Sequence, residues 1–319
     1  MHEYDSFNED VICALAGAVG EDGVAMVEPM SAHTTFKIGG PADVMVMPRC
    51  VEAAAKALDI CAIAGVPVTV VGNGSDLLVG DRGIRGVVLL MRENISQVRV
   101  EGTRVVAQAG ALLRDVAIAA ADAGLTGMEP LWGIPASVGG ACFMNAGAYD
   151  GTTGDVLESV VVYVPGETLP DGSRAKGTVR TLGHDELGLG YRKSRVASDG
   201  LVVLEATFVL APGNVAQIRA AMDDYQRRRE EKQPLDMPSA GSTFKRPDGY
   251  FAGKLIMDAG MRGASVGGAQ VSTKHCGFVV NTGGATAADV RALIERVQGE
   301  VRDQFGVELE PEVRMVGEF

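Results

Sequence analysis

The sequence has few aromatic residues, little histidine and no paired-cysteine pattern. Tryptophan occurs once, and aromatic residues make up 5% of the 319 positions. The five cysteines, Cys13, Cys50, Cys61, Cys142 and Cys276, are scattered, odd in number and form no Cys-x-x-Cys pair. That usage fits reduced thiols and argues against a disulfide framework. The four histidines, His2, His33, His184 and His275, lie far apart without metal-ligand spacing, so no metal site is expected. No apolar run approaches the ~20 residues of a membrane-spanning helix. Met1-His2-Glu3-Tyr4-Asp5 is acidic where a secretory signal would be basic. The expectation is a cytoplasmic chain with no membrane insertion. Positive charge is also short: 29 Lys and Arg against 41 Asp and Glu leave a net charge of −12. That field disfavours nucleic acid or an anionic membrane as the main partner, and a phosphate ligand would need a locally built site. Nothing predicts an obligate protein partner.

Glycine is abundant, at 42 residues, about 13% of the chain against an ordinary ~7%. It has no period of three, which excludes collagen, so the chain must turn tightly or approach a ligand closely in many places. With 46% hydrophobic and 22% charged residues the chain can build real cores.

Hydrophobic periodicity predicts an α+β protein. A helix is expected over residues 10–19, with Val11, Ile12, Leu15 and Val19 at helical spacing, and another over 51–64. The β-branched run Val68–Val71 follows Pro67 and stops at Gly72, and Val87–Leu90 reads as a further strand. Short strands at 98–100 and 105–107 precede a helix over 112–123. Residues 133–154, with six glycines and one charge, read as neither helix nor sheet. Strands follow at 156–164 and 202–210, then a helix capped by Asn214 that runs to Glu231. Thr286-x-x-Asp289 has the form of a capping box. It opens a last helix with Val290, Leu293, Ile294, Val297, Val301 and Phe305 on one face. The division expected is a leader (1–30), two α+β units (31–93 and 94–212) and a C-terminal α+β domain (213–319).

Three motifs can carry chemistry. The run Val71-Gly72-Asn73-Gly74-Ser75-Asp76-Leu77 follows a strand. Leu77 occupies the third position of the dinucleotide fingerprint, which disfavours a Rossmann unit. Consecutive N–H groups and short polar side chains still suit an anion-binding nest, and a plain surface turn is the competing reading. The long uncharged stretch from Gly133 to Tyr149 lets backbone lie against a flat or phosphorylated ligand. Between Tyr225 and Arg246 six cations face three anions, a local surplus that could attract phosphate. A solvated helix end explains Arg227, Arg228 and Arg229 equally well.

These segments join others in a fixed order: His33–Ala42, Tyr191-Arg192, Ala240–Lys245, Gly267–Ser272 and Leu309–Arg314. The ordered set, from about residue 30 to the C-terminus, closely resembles the UDP-N-acetylenolpyruvoylglucosamine reductase family of peptidoglycan synthesis. The compact length and short third domain resemble the family's shorter form, which lacks an inserted tyrosine loop. The resemblance implies a two-subdomain FAD-binding fold of the vanillyl-alcohol-oxidase type, with a third domain covering a UDP-sugar substrate. It implies non-covalent FAD, held by Val71, Gly72, Asn73, Gly74, Ser75, Asp76 and Leu77. Gly133, Ile134, Pro135, Ser137, Gly139, Gly140, Asn145 and Gly147 would line the rest of that site. NADPH would be the reductant and an enolpyruvyl ether the group reduced. Catalysis would fall to Arg192, Ser242 as proton donor, and Glu312, with Glu310 its neighbouring alternative. Substrate would meet Tyr191, Lys232, Lys245, Arg246 and Gln270. Asp76, Ala136 and Arg246 depart from the family's common Asn, Gly and Asn. A flavin oxidase of the same fold and a non-catalytic nucleotide-binding protein are the rival readings.

Overall fold

The computed structural model describes residues 9–92, 94–170 and 174–319, and divides the chain into two compact units. One comprises residues up to Val27, Asp43–Asn73 and Gly86–Gln226; the other comprises Glu28–Ala42, Gly74–Arg85 and Arg227–Phe319. The α+β class holds in both.

In the first unit the helix Glu9–Val19 buries Val11, Leu15 and Val19, as its periodicity predicts. The helix Val51–Ile63 buries Ala54, Ala57, Leu58 and Cys61. The strand Val68–Val71 runs parallel to Ile84–Leu90, with Val71 opposite Leu90. Buried residues fill nearly all of Ile84–Leu90, the pattern of a strand covered on both faces. A second, five-stranded sheet is antiparallel, in the order Thr178–Gly183, Leu157–Val164, Val202–Val209, Arg104–Gln108, Val98–Glu101. Its core joins Val105, Ala107, Val160, Val162, Leu204 and Phe208 to the helix Leu113–Asp122.

One expectation fails here. Residues 138–144, inside the glycine-rich stretch read as irregular, form a helix. Gly139 and Gly140 depress helix propensity, so tertiary contacts carry it. Ser137 caps it by accepting from the Gly140 N–H at 3.3 Å, Ala141 and Cys142 are buried, and Asn145 ends it in the left-handed region at φ 43°.

The second unit holds an antiparallel sheet in the order Ser239–Ser242, Phe278–Asn281, Ala269–Val271, Ser265–Val266. Leu77–Val79 pairs in parallel with Arg314–Val316. The helix Ala287–Phe305 buries Val290, Leu293, Ile294, Val297 and Val301. Phe305 departs from that face and is 39% exposed. The capping box forms in full: Asp289 N–H donates to Thr286 Oγ1, and Thr286 N–H to Asp289 Oδ2, both at 3.0 Å. Asp81 adds a second anchor, accepting from the N–H groups of Ala287 and Ala288 at 2.7 and 2.9 Å.

Candidate active site

In the first unit the two glycine segments are stitched together. Asn73 Nδ2 donates to the Pro135 carbonyl at 2.6 Å. A Cβ on Gly72 would lie 2.0 Å from Ser137 Oγ, the buried hydroxyl that caps the helix 138–144. Gly139 lies against Ala109, where a Cβ would come within 3.2 Å. The N–H groups of Val138 and Gly139 donate to Ala111 and Ala109 carbonyls, each at 2.8 Å, and that of Gly140 goes to Ser137. These three donors are spent inside the protein, so the residues contribute close approach rather than bonds to a ligand. Burial pushes the Cys142 thiol up to about 12, so it stays neutral and unreactive at physiological pH. Gly133 lies in a turn ahead of the cap, and Ile134 and Pro135 follow it without regular secondary structure.

The opposite, C-terminal end of this helix reaches the segment carrying Tyr191 and Arg192. Asn145 Nδ2 donates to the Gly190 carbonyl at 3.0 Å, and Asn145 Oδ1 accepts from Gly154 N–H at 2.8 Å. Ser194 Oγ donates to the Phe143 carbonyl at 2.6 Å. Arg192 Nη2 donates to the Gly147 carbonyl at 3.3 Å, and its guanidinium lies 5.0 Å from the centre of the exposed Tyr191 ring. Asn145, Tyr149 and Arg192 all have positive φ (43°, 55° and 52°). Backbone strain in non-glycine residues gathers at functional sites. Tyr149 also packs on Tyr225, with ring centres 4.7 Å apart.

In the second unit Gly74 requires its glycine: φ is +60°, and a Cβ would lie 2.2 Å from the His33 carbonyl oxygen. Ser75 and Asp76 follow, Asp76 O accepts from Arg314 N–H at 2.9 Å, and Leu77 opens the parallel pair. Ser242 ends its strand with an exposed side chain. Thr243 N–H donates to Gly277 O at 2.8 Å, and Thr243 O accepts from Glu312 N–H at 2.8 Å. Ser242 and Glu312 therefore stand one residue apart across a backbone pairing that continues as the Phe244–Pro311 bridge. Glu312 is half-buried, whereas the alternative Glu310 is 70% exposed and ion-paired with Lys245. Arg246 stacks over Phe251 at 4.1 Å. Gln270 pairs with Val280 and donates to Gly263 O at 3.4 Å. Lys232 is exposed at the end of the helix Val215–Lys232. The His275 imidazole is held below its usual pKa, first by burial and then by the charge of Lys232. Arg229, which composition allowed on a solvated helix end, is buried.

Among the described residues no cluster of three His, Cys, Asp or Glu could hold a metal ion, and no helix is long and apolar enough to cross a membrane. The bracing roles of Ser194 and Thr243 escaped the sequence, and Ser137, expected to line the cofactor site, caps a helix instead. The Ser137-x-x-Gly140 and Ser194-x-x-Ala197 cap spacings are the local signals here.

Backbone packed too closely for a Cβ at Gly72 and Gly147, and tightly at Gly139, suits close approach to a large flat cofactor, and a family profile for an FAD binding domain matches residues 42–174. The fold and the cradle define an FAD-binding oxidoreductase. A second profile, the UDP-N-acetylenolpyruvoylglucosamine reductase C-terminal domain, matches residues 233–316. The UDP-N-acetylenolpyruvoylglucosamine reductase of Agathobacter rectalis is 49% identical, over 98% of this chain and 100% of its own. That of Clostridium perfringens strain SM101 is 49% identical over 99% of each chain. The crystal structure of the Thermus caldophilus enzyme superposes with a TM-score of 0.75 at 34% identity, covering 92% of this chain and 98% of that one. The chain belongs to the UDP-N-acetylenolpyruvoylglucosamine reductase family.

Proposed function

We propose that this protein reduces the enolpyruvyl ether of UDP-N-acetylglucosamine to UDP-N-acetylmuramate in the cytoplasm, with NADPH as reductant, as a step of peptidoglycan synthesis. FAD, when bound, supplies the hydride chemistry. The proposed cradle is Val71–Leu77 with Gly133–Gly140 and Gly147, where small residues admit close backbone contact. The sequence division carries over as a proposal: residues 31–93 and 94–212 serve the cofactor and 213–319 the substrate, behind a leader of residues 1–30.

Reduction of the carbon–carbon double bond places negative charge on the carbon beside the substrate carboxylate and on the carboxylate itself. Arg192 is the cation suited to clamp that carboxylate, because its planar fork matches two oxygens at once. Glu312, in its protonated form, donates a hydrogen bond to the same enolic region. Ser242 delivers the proton to the carbon beside the carboxylate. A serine hydroxyl is a weak acid, but a carbanionic enol is a strong base, and a positioned weak acid suffices. Lys232, Lys245, Arg246, Tyr191 and Gln270 are assigned to the UDP-sugar. The diphosphate supplies the reason for the cations, since the chain as a whole is acidic.

The observation that carries this reading is the Glu312 N–H bond to Thr243 O. It ties the backbone segments that carry Ser242 and Glu312 together within one unit, one residue out of register, which supports keeping both residues in the proposal, whereas Glu310 is held in an exposed ion pair with Lys245. The test is Ser242→Ala followed by stopped-flow absorbance. Flavin content and bleaching by NADPH should match wild type, while recovery of the flavin band on adding substrate should slow ~10²–10⁴-fold. Ser242→Cys should restore part of that rate. Recovery within about tenfold of wild type would remove the donor role, being well short of a general acid's contribution.

A further inference from the structure

The turn Gly190–Ser194 is fastened on both sides of Arg192 to one end of the helix Val138–Met144. On one side Asn145 Nδ2 donates to Gly190 O; on the other Ser194 Oγ donates to Phe143 O and accepts from Ala197 N–H at 3.2 Å. Within the turn, Gly190 and Lys193 exchange two backbone bonds, at 3.0 and 3.2 Å. Asn145 and Ser194 are both buried, at 6% and 1% exposure. Arg192 holds φ +52° between these anchors, a conformation that persists only where the surroundings over-determine it. Gly154 has no side chain where a Cβ would come within 3.0 Å of Asn145 Oδ1.

We infer that Asn145 and Ser194 are positioning residues for Arg192, and that the Asn145 side chain serves this turn rather than the cofactor. Both polar atoms of the Asn145 amide are engaged by protein backbone, one on the turn and one on Gly154. A clamp of this kind fixes where the guanidinium stands before substrate arrives, so its loss should appear in the rate of reduction rather than in FAD binding. Misplacing a reacting group by about an ångström can cost ~10²-fold in rate. The inference rests on the role proposed for Arg192.

The informative variant is Asn145→Asp, which is isosteric. It keeps the acceptor for Gly154 N–H and replaces the donor to Gly190 O with an oxygen. Ser194→Ala, which cuts the other anchor, is the second variant. Four readouts apply to the FAD-loaded enzyme: flavin content, kcat, KM for substrate, and amide hydrogen exchange over residues 190–195. Asn145→Asp should lower kcat by ~10–10²-fold with flavin content and KM little changed, and exchange in the turn should quicken. Combined with Arg192→Lys, the same substitution should cost no more than about twofold further, because a displaced turn can harm only an arginine that is there. Ser194→Ala should show the same dependence on Arg192, and Ser194→Thr should recover activity. A loss of equal size in the wild-type and Arg192→Lys backgrounds would overturn the inference, as would a fall in flavin content that tracks the fall in rate. Arg192→Lys alone keeps the two ideas apart: if it leaves kcat near wild type, the role proposed for Arg192 fails first.

Discussion

Under the proposed function the two units would contribute mainly by different means, Arg192 in the first and Gly74 in the second being the exceptions. The first offers backbone: glycines at 72 and 139, a capped seven-residue helix, and N–H groups already spent on Ala109, Ala111 and Ser137. The second offers side chains: Ser242 and Glu312 on either side of a short antiparallel pairing, with Lys245 and Arg246 just beyond. A surface made of backbone is defined by what cannot be added to it, since one methyl group at Gly72 meets Ser137 Oγ. A surface made of side chains is defined by what cannot be removed. Substitutions should therefore fail in two distinguishable ways, one losing the cofactor or the fold and the other losing the rate.

The largest effect expected is on rate. Glu312→Gln should lower kcat ~10²–10⁴-fold if the carboxyl takes part in the reaction. Glu310→Gln should change it little, because Glu310 is exposed and its ion pair with Lys245 contributes no more than ~1 kcal/mol. Steady-state kinetics of the pair settles the choice, and the reverse ranking would exchange the roles of the two glutamates. Next comes the fold of the second unit. Gly74→Ala forces a side chain into φ +60° against a backbone carbonyl; a loss of ~1–3 kcal/mol from backbone conformation, with the clash added, should show in denaturant melts. An alanine tolerated at that position would mean the loop can move away from His33. Smallest is the helix Ala287–Phe305, where Thr286→Ala should cost ~1 kcal/mol through loss of the cap.

The cap also has a pH signature. Hydrogen bonds from Thr286 backbone, its side chain and Gly268 backbone hold the Asp289 carboxyl below its usual range. A carboxylate whose folded pKa is depressed stabilises the fold above its unfolded pKa, and that contribution is lost as pH falls through the folded value. Asp289→Asn, which removes the charge and keeps the Thr286 cap, should thus differ from wild type in melting temperature at neutral pH and approach it as pH falls below about 4. A difference that persists unchanged into acid would show that the carboxylate charge is not what stabilises this cap.

Elements with local periodicity were legible in the residues. The strand Val68–Val71 begins after Pro67 and ends at Gly72 as expected, and the Thr286 capping box forms bond for bond. Asn214 caps its helix by accepting from Gln217 N–H at 3.2 Å. What was not legible depends on distant partners. The helix Val138–Met144 carries two glycines and exists because Ser137, Asn145 and Ser194 hold its ends, the last from 50 positions further along the chain. The parallel pairing of Leu77–Val79 with Arg314–Val316 joins segments more than 230 residues apart and leaves no local trace. Phe305 continues the apolar period of its helix yet lies in the last turn, where the core no longer reaches. The proposed site divides in the same way: glycine density suggests the proposed backbone cradle, and the family resemblance implies Arg192, Ser242 and Glu312. Of the residues that brace those segments, Thr243 carries no pattern of its own and Ser194 carries only its cap spacing to Ala197.

The contrast between the two units is tested most directly by FAD affinity in two variants, measured by fluorescence titration of apoprotein with the cofactor. Gly72→Ala should weaken FAD by tenfold or more, since a loss of only ~1.4 kcal/mol suffices for that. Ser242→Ala should bind FAD within about twofold of wild type. The contradicting result is the reverse ranking, with Gly72→Ala binding as wild type does and Ser242→Ala losing the cofactor. The backbone of the first unit would then not be what holds it.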